Sequence, residues 1–186
     1  MENSELVSLT DLGSLIVCWV LAMVFGFSSY HKLAQWKRFI ASFSAYEILP
    51  KIFPMQLGGL VIVTSEIIVT VALLAMQRWG LLLALILLAL YMLAMAINLM
   101  RGRTYIDCGC GDEPTPVSVY TLMRNLVLMT VAFLATEHTY ALFLLPWDAY
   151  FFAVISASIV YGVYLICEQI LANRARHLRL WQANSE

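Results

Sequence analysis

The feature that most constrains this chain is a series of apolar runs, each close to the length needed to cross a bilayer. The hydrocarbon core is about 30 Å thick and a helix rises about 1.5 Å per residue, so about 20 consecutive apolar residues span it. Five segments meet or approach that length: residues 12–30, 55–76, 80–100, 120–136 and 144–167. The third, GLLLALILLALYMLAMAINLM, is the most apolar, and the fourth is short and carries Arg124. Hydrophobic residues make up 62% of the chain and charged residues 12%, more apolar surface than one water-soluble core of this length can hide. The reading is an all-α, polytopic membrane helix bundle of about five transmembrane helices.

Charge excludes some functions. The formal net charge is −1 and the basic residues are scattered among short loops, so there is no electrostatic footprint for nucleic acid. The start, MENSE, is acidic where a secretory signal is positive, which predicts that the first span is retained. Residues 1–173 read as one integral membrane domain and 174–186 as a short basic tail, with no repeat or linker to divide them.

Between the first two spans, HKLAQWKRFIASFSAYEILPKIFP places Leu33, Trp36, Phe39, Ile40 and Phe43 at helical spacing opposite Lys32, Lys37 and Arg38. That pattern predicts a short helix lying in the membrane interface, closed by Pro50 and Pro54. With five spans, the basic residues of the first loop, the third loop (Arg101, Arg103) and the tail (Arg174, Arg176, Arg179) fall on one side, with only Arg78 opposite. Positive-inside bias then puts the N-terminus outside and the C-terminus in the cytoplasm.

The densest polar chemistry is RGRTYIDCGCGDEPTP, residues 101–116, where Cys108 and Cys110 are one glycine apart. Thiolate is the reactive form of cysteine, and nearby cations favour it; Arg101, Arg103, Arg124, His31 and Lys32 are the candidates, opposed by Asp107, Asp112 and Glu113. Gly109 and Gly111 leave the backbone free to bend and a partner's disulfide room to approach. A disulfide across one intervening residue closes a small, strained ring, which suits exchange more than stapling. A structural disulfide, a zinc site and an inert pair stay open beside thiol–disulfide exchange. A structural zinc usually needs four Cys/His ligands, and only two cysteines lie together here. Cys18 and Cys167 sit in or at the end of apolar runs as small hydrophobes, with Cys167 a candidate relay thiol.

Inside the spans, Glu66 falls near mid-membrane, where a charged side chain costs about 2.5–3.5 kcal/mol on insertion scales, so it should face the bundle and be paired or protonated. Arg124 enters the fourth span and is predicted to extend toward Glu66 or back to the surface. Asn98 and Asn125 flank the cysteine loop and are candidates for hydrogen bonds between helices. These polar residues serve either bundle cohesion or a redox or proton role. A solute transporter built on Glu66 is disfavoured, since no span is broken by Gly and Pro at mid-membrane.

Taken together, FGFSSYHKLAQWKRFIASFSAYEILP, a span with central Glu66, and NLMRGRTYIDCGCGDEPTPVSVYTLMRN resemble the MauE family of methylamine-utilisation membrane proteins, relatives of the DoxX-like group. The match is most specific over RGR, DCGC and RN, which carries over Arg101, Asp107, Cys108, Cys110, Arg124 and Asn125; Lys32 and Glu66 match more loosely. Family members commonly continue the pair as C-G-C-F-G, whereas here Gly111 is followed by Asp112 and Glu113.

The resemblance implies a multi-pass protein of the bacterial inner membrane. It further implies a role, with a thioredoxin-like periplasmic partner, in forming the disulfides of a secreted client, the methylamine dehydrogenase small subunit. A periplasmic partner conflicts with the charge-bias orientation. Either that bias misleads, or a cytoplasmic pair is one end of an electron path that ends at a quinone or at Cys18. The alternative from another class is a non-catalytic scaffold that docks a partner through the same loop, so whether the chain is an enzyme stays open on sequence alone.

Overall fold

The computed structural model describes residues 9–48, 50, 54–103, 118–136 and 145–183, with side chains except at 171 and 174–183. Asp107, Cys108 and Cys110 lie outside the described residues. Among the described residues six α-helices follow one another: α1 (Leu9–Ala34), α2 (Trp36–Ala45), α3 (Met55–Leu74), α4 (Arg78–Met100), α5 (Val119–Thr136) and α6 (Trp147–Ala183). Five are long and apolar enough to cross a membrane: α1, α3, α4, α5 and the Trp147–Ile170 part of α6. The short fourth run is therefore a full helix.

One boundary differs from the sequence reading. The first span was expected to stop at Tyr30, but α1 continues through Ala34, so Lys32 and Leu33 belong to it and only Trp36–Ala45 forms the short helix after it. Lys32, expected on the polar side of that short helix, is buried, because a carboxylate waits for it in the bundle. The last span, expected at 144–167, is the Trp147–Ile170 part of α6, and the helix continues beyond it to Ala183.

Local chemistry sets the helix ends. Pro54 holds an extended backbone just before α3, where its missing N–H costs no helical bond. At the end of α4, Gly102 adopts φ +71°, its N–H donates to Leu99 O and the Arg103 N–H donates to Asn98 O, a Schellman motif that uses the glycine's freedom at positive φ. Met76 closes α3 in the same way at φ 53°, with its N–H on Leu73 O and that of Gln77 on Ala72 O.

Helix α1 is central and packs against α3, α5 and α6. Leu15, Cys18, Leu21, Ala22 and Phe25 on α1 meet Val69 and Leu73 on α3, Leu88 on α4, Ala132 on α5 and Ala153 on α6. Alanines line the inner faces of α5 and α6, as expected where close approach rather than water exclusion holds helices together. The opposite faces carry exposed Val61, Ile68, Leu82, Leu90, Val127 and Ile159, a surface suited to lipid. Helix α2 lies across the first turns of α3, where Gly59 accommodates it; a Cβ there would collide with Ile40 and crowd Phe39 and Trp36. The end of α1, α2, the end of α4 and the start of α5 gather at one end of the bundle, together with the later part of α6.

Candidate functional site

Two turns of α1 build the first half of a buried polar cluster. Ser28 and Lys32 are four residues apart and so share one face of the helix. Opposite them on α3, Glu66 is fully buried. Its Oε1 accepts hydrogen bonds from Lys32 Nζ at 2.5 Å, from the Tyr91 hydroxyl of α4 at 2.7 Å and from Ser28 Oγ at 3.2 Å. Lys32 Nζ also donates to Ser28 Oγ at 2.6 Å and lies 5.7 Å and 5.4 Å from the ring centroids of Phe39 and Tyr91. An ammonium between two aromatic faces and a carboxylate is compensated on several sides, which offsets the cost of taking both charges out of water. Glu66 Oε2, by contrast, has no hydrogen-bond partner among the described residues. One oxygen of the carboxylate is saturated while the other remains an acceptor.

A second acid–base pair joins α5 to α6. Arg124 Nη1 donates to Glu168 Oε2 at 2.8 Å, and Arg124 Nη2 reaches Asn125 Oδ1 at 3.5 Å. The sequence reading aimed Arg124 at Glu66 or at the surface. The structure corrects this: Lys32 occupies the saturated side of Glu66, and Glu168, which the sequence reading passed over, takes the guanidinium.

The third element is the foot of the cysteine loop. Arg103 Nη2 pairs with Glu47 Oε2 at 2.8 Å, Arg101 Nη1 donates to Glu47 O at 3.4 Å, and Asn98 Nδ2 donates to Tyr46 O at 3.2 Å. Asn98 thus bonds from α4 to the end of α2, the cross-helix role expected of it. Both loop arginines are drawn toward α2, to which they fix the exit of the loop.

Two cavities flank the buried cluster and share Tyr91. One, of about 240 Å³, lies among α1, α3, α4, α5 and α6, and its walls include Phe27, Glu66, Tyr91, Asn125, Tyr161 and Glu168. The other, of about 320 Å³, lies beneath α2 and is lined by Lys32, Phe39, Phe43, Tyr46 and Met95 as well as Tyr91. Of the residues singled out from sequence, Lys32 and Glu66 are brought together, Arg124 and Asn125 sit at the first cavity, and Arg101 and Arg103 stand apart at the loop foot. Ser28, Tyr91 and Glu168 were missed. The i, i+4 spacing of Ser28 and Lys32 was a legible signal for the first of these. Of the cysteines outside the loop, Cys18 is buried in the core and Cys167 is exposed on α6.

The family described as methylamine utilisation protein MauE matches residues 10–137. The methylamine utilization protein MauE of Paracoccus denitrificans is 33% identical over 125 residues, covering 63% of this chain and 67% of that protein. Its namesake from Methylophilus methylotrophus is 32% identical over 114 residues, covering 58% of this chain and 59% of that protein. No solved structure matches. The matched region contains the buried cluster and the cysteine loop and stops short of α6, which supplies Glu168.

Proposed function

The chain belongs to the MauE family, and from that premise we propose that it is a membrane thiol–disulfide component in the maturation of a secreted protein of methylamine utilisation. In this reading Cys108 and Cys110 exchange with a thioredoxin-like partner at the bacterial inner membrane. The partner in turn oxidises a periplasmic client such as the methylamine dehydrogenase small subunit. The observation that carries the reading is the mounting of the cysteine loop. Its outgoing end is tied to α2 through Arg103, Arg101 and Glu47, and its returning end enters α5 where the Thr121 hydroxyl accepts the Ser118 N–H at 3.0 Å. A reactive pair must meet a partner in a fixed place, and the described residues on either side of the pair are held to the bundle.

The exchange balances without a metal. The loop thiolate attacks the partner's disulfide, a mixed disulfide forms, the second loop cysteine resolves it, and the partner leaves as a dithiol; the reverse sequence oxidises the partner. The test is to trap the partner's redox state by alkylation in cells carrying Cys108→Ser/Cys110→Ser. Loss of the partner's redox change is expected, and normal partner oxidation in that variant overturns the reading. A docking scaffold is the second reading, favoured by the engagement of Arg101 and Arg103 with Glu47, which turns two cations toward α2. It predicts that the serine variant works and that Glu47→Ala, which loosens the loop foot, does not.

A further inference from the structure

We propose that the cavity beside Glu66 is a binding site for the ring of a membrane quinone, which serves as the electron acceptor for the loop dithiol; this deepens the exchange reading above and rests on it. Four features of the cavity select that ligand class. First, it runs from Glu66 in a membrane-spanning helix to Arg124, Glu168 and His31 toward one end of the bundle, and exposed Phe27 on α1 and Leu165 on α6 stand at its wall, so one side of it borders the apolar, lipid-suited surface. Second, its wall carries a run of stacked rings: Phe27 and Tyr161 are 5.4 Å apart at 21°, and Tyr161 and Tyr164 are 5.8 Å apart at 18°. Such a strip accepts another flat ring.

Third, the cavity presents one acceptor and one donor that are not used among the described residues. Glu66 Oε2 and Asn125 Nδ2 are both buried and both lack a hydrogen-bond partner there. A buried polar atom left unbonded costs about 1–3 kcal/mol, so a ligand that bonds both stabilises the site. A quinone offers a carbonyl oxygen to the Asn125 amide, and the quinol formed from it adds a hydroxyl hydrogen for the Glu66 carboxylate, whereas an acyl chain offers neither. Fourth, the size fits. An apolar cavity of about 150 Å³ takes benzene, and one of about 240 Å³ takes a ring with small substituents, leaving its tail to the lipid.

The electron balance closes with the loop. The two S–H bonds of Cys108 and Cys110 break and one S–S bond forms; two electrons and two protons pass to the ring, whose two carbonyl oxygens become hydroxyls. The loop rejoins the bundle at Val119, about 9 Å of helical rise from Asn125, so the ring and the returning end of the loop are neighbours. Helix α6, beyond the region the family matches, supplies Tyr161 and Tyr164.

The test uses the full chain in nanodiscs of quinone-free lipid, with decylubiquinone as the probe and its binding measured at equilibrium. Saturable binding is expected, weakened about three- to tenfold by Asn125→Leu, as for loss of one hydrogen bond. Leu165→Trp, at an exposed position where the fold is not at stake, is expected to block the mouth and weaken binding by more than tenfold. The Cys108→Ser/Cys110→Ser variant is expected to bind like the parent. Absence of saturable binding, or binding indifferent to both cavity variants, overturns the proposal. Partner oxidation that persists in a chain that binds no quinone overturns it while leaving the exchange reading standing.

Discussion

The Lys32–Glu66 cluster and the Arg124–Glu168 pair are both acid–base contacts between spans, yet their construction differs. Lys32 and Glu66 are 5% and 0% exposed, held by Ser28, Tyr91 and the ring of Phe39, and drawn from four helices. Arg124 and Glu168 are 11% and 20% exposed and join two helices near one end of the bundle. Removing one partner of the first pair leaves the other buried and uncompensated, whereas the guanidinium of the second can turn toward the interface. The depth of a pair, and not its distance, should therefore decide what breaking it costs. The loop-foot pair, Arg103 with Glu47 at 29% and 61% exposure, extends the series to the surface.

The largest effect is expected from Glu66→Leu, which strands the Lys32 ammonium and should destabilise the bundle by about 3–5 kcal/mol. Equilibrium unfolding in mixed detergent micelles measures it, and adding Lys32→Met should restore most of the loss. If Glu66→Leu costs no more than the shallower variants, depth is not what separates the two pairs. Glu168→Ala comes next at about 1.5–3 kcal/mol, the range for a hydrogen bond to a charged group, in the same measurement. Replacing Tyr91 by Phe removes one of three donors to Glu66 Oε1 and should cost about 0.5–1.5 kcal/mol, which tests whether the cluster's strength is shared among donors. The smallest effect belongs to Arg103→Ala, about 0.2–1 kcal/mol on stability and diminishing as salt is added.

Much of the architecture was legible because bilayer thickness and helical rise act on each segment alone. The third span, expected at 80–100, is α4 at Arg78–Met100, and the fourth, expected at 120–136, is α5 at Val119–Thr136. The first boundary was misjudged at Lys32 because a lone lysine after an apolar run reads as an interfacial residue; it is buried only because Glu66 of another helix receives it. The last span, read at 144–167, is the Trp147–Ile170 part of α6, while the helix itself runs further. Falling hydropathy marks where a helix leaves the hydrocarbon, not where its backbone hydrogen bonding stops, and α6 continues to Ala183.

By itself the sequence determined the number of spans, their approximate lengths, the short interfacial helix and the requirement that Glu66 be compensated. Each follows from the local free energy of placing a residue in hydrocarbon or at its edge. Only the tertiary structure decided that Lys32, and not Arg124, answers Glu66, that Glu168 answers Arg124, and that Tyr91 stands between two cavities. Those choices join residues far apart in the chain, and they are made by which helix faces pack against which. Hydropathy brings a helix into the membrane without specifying its neighbour.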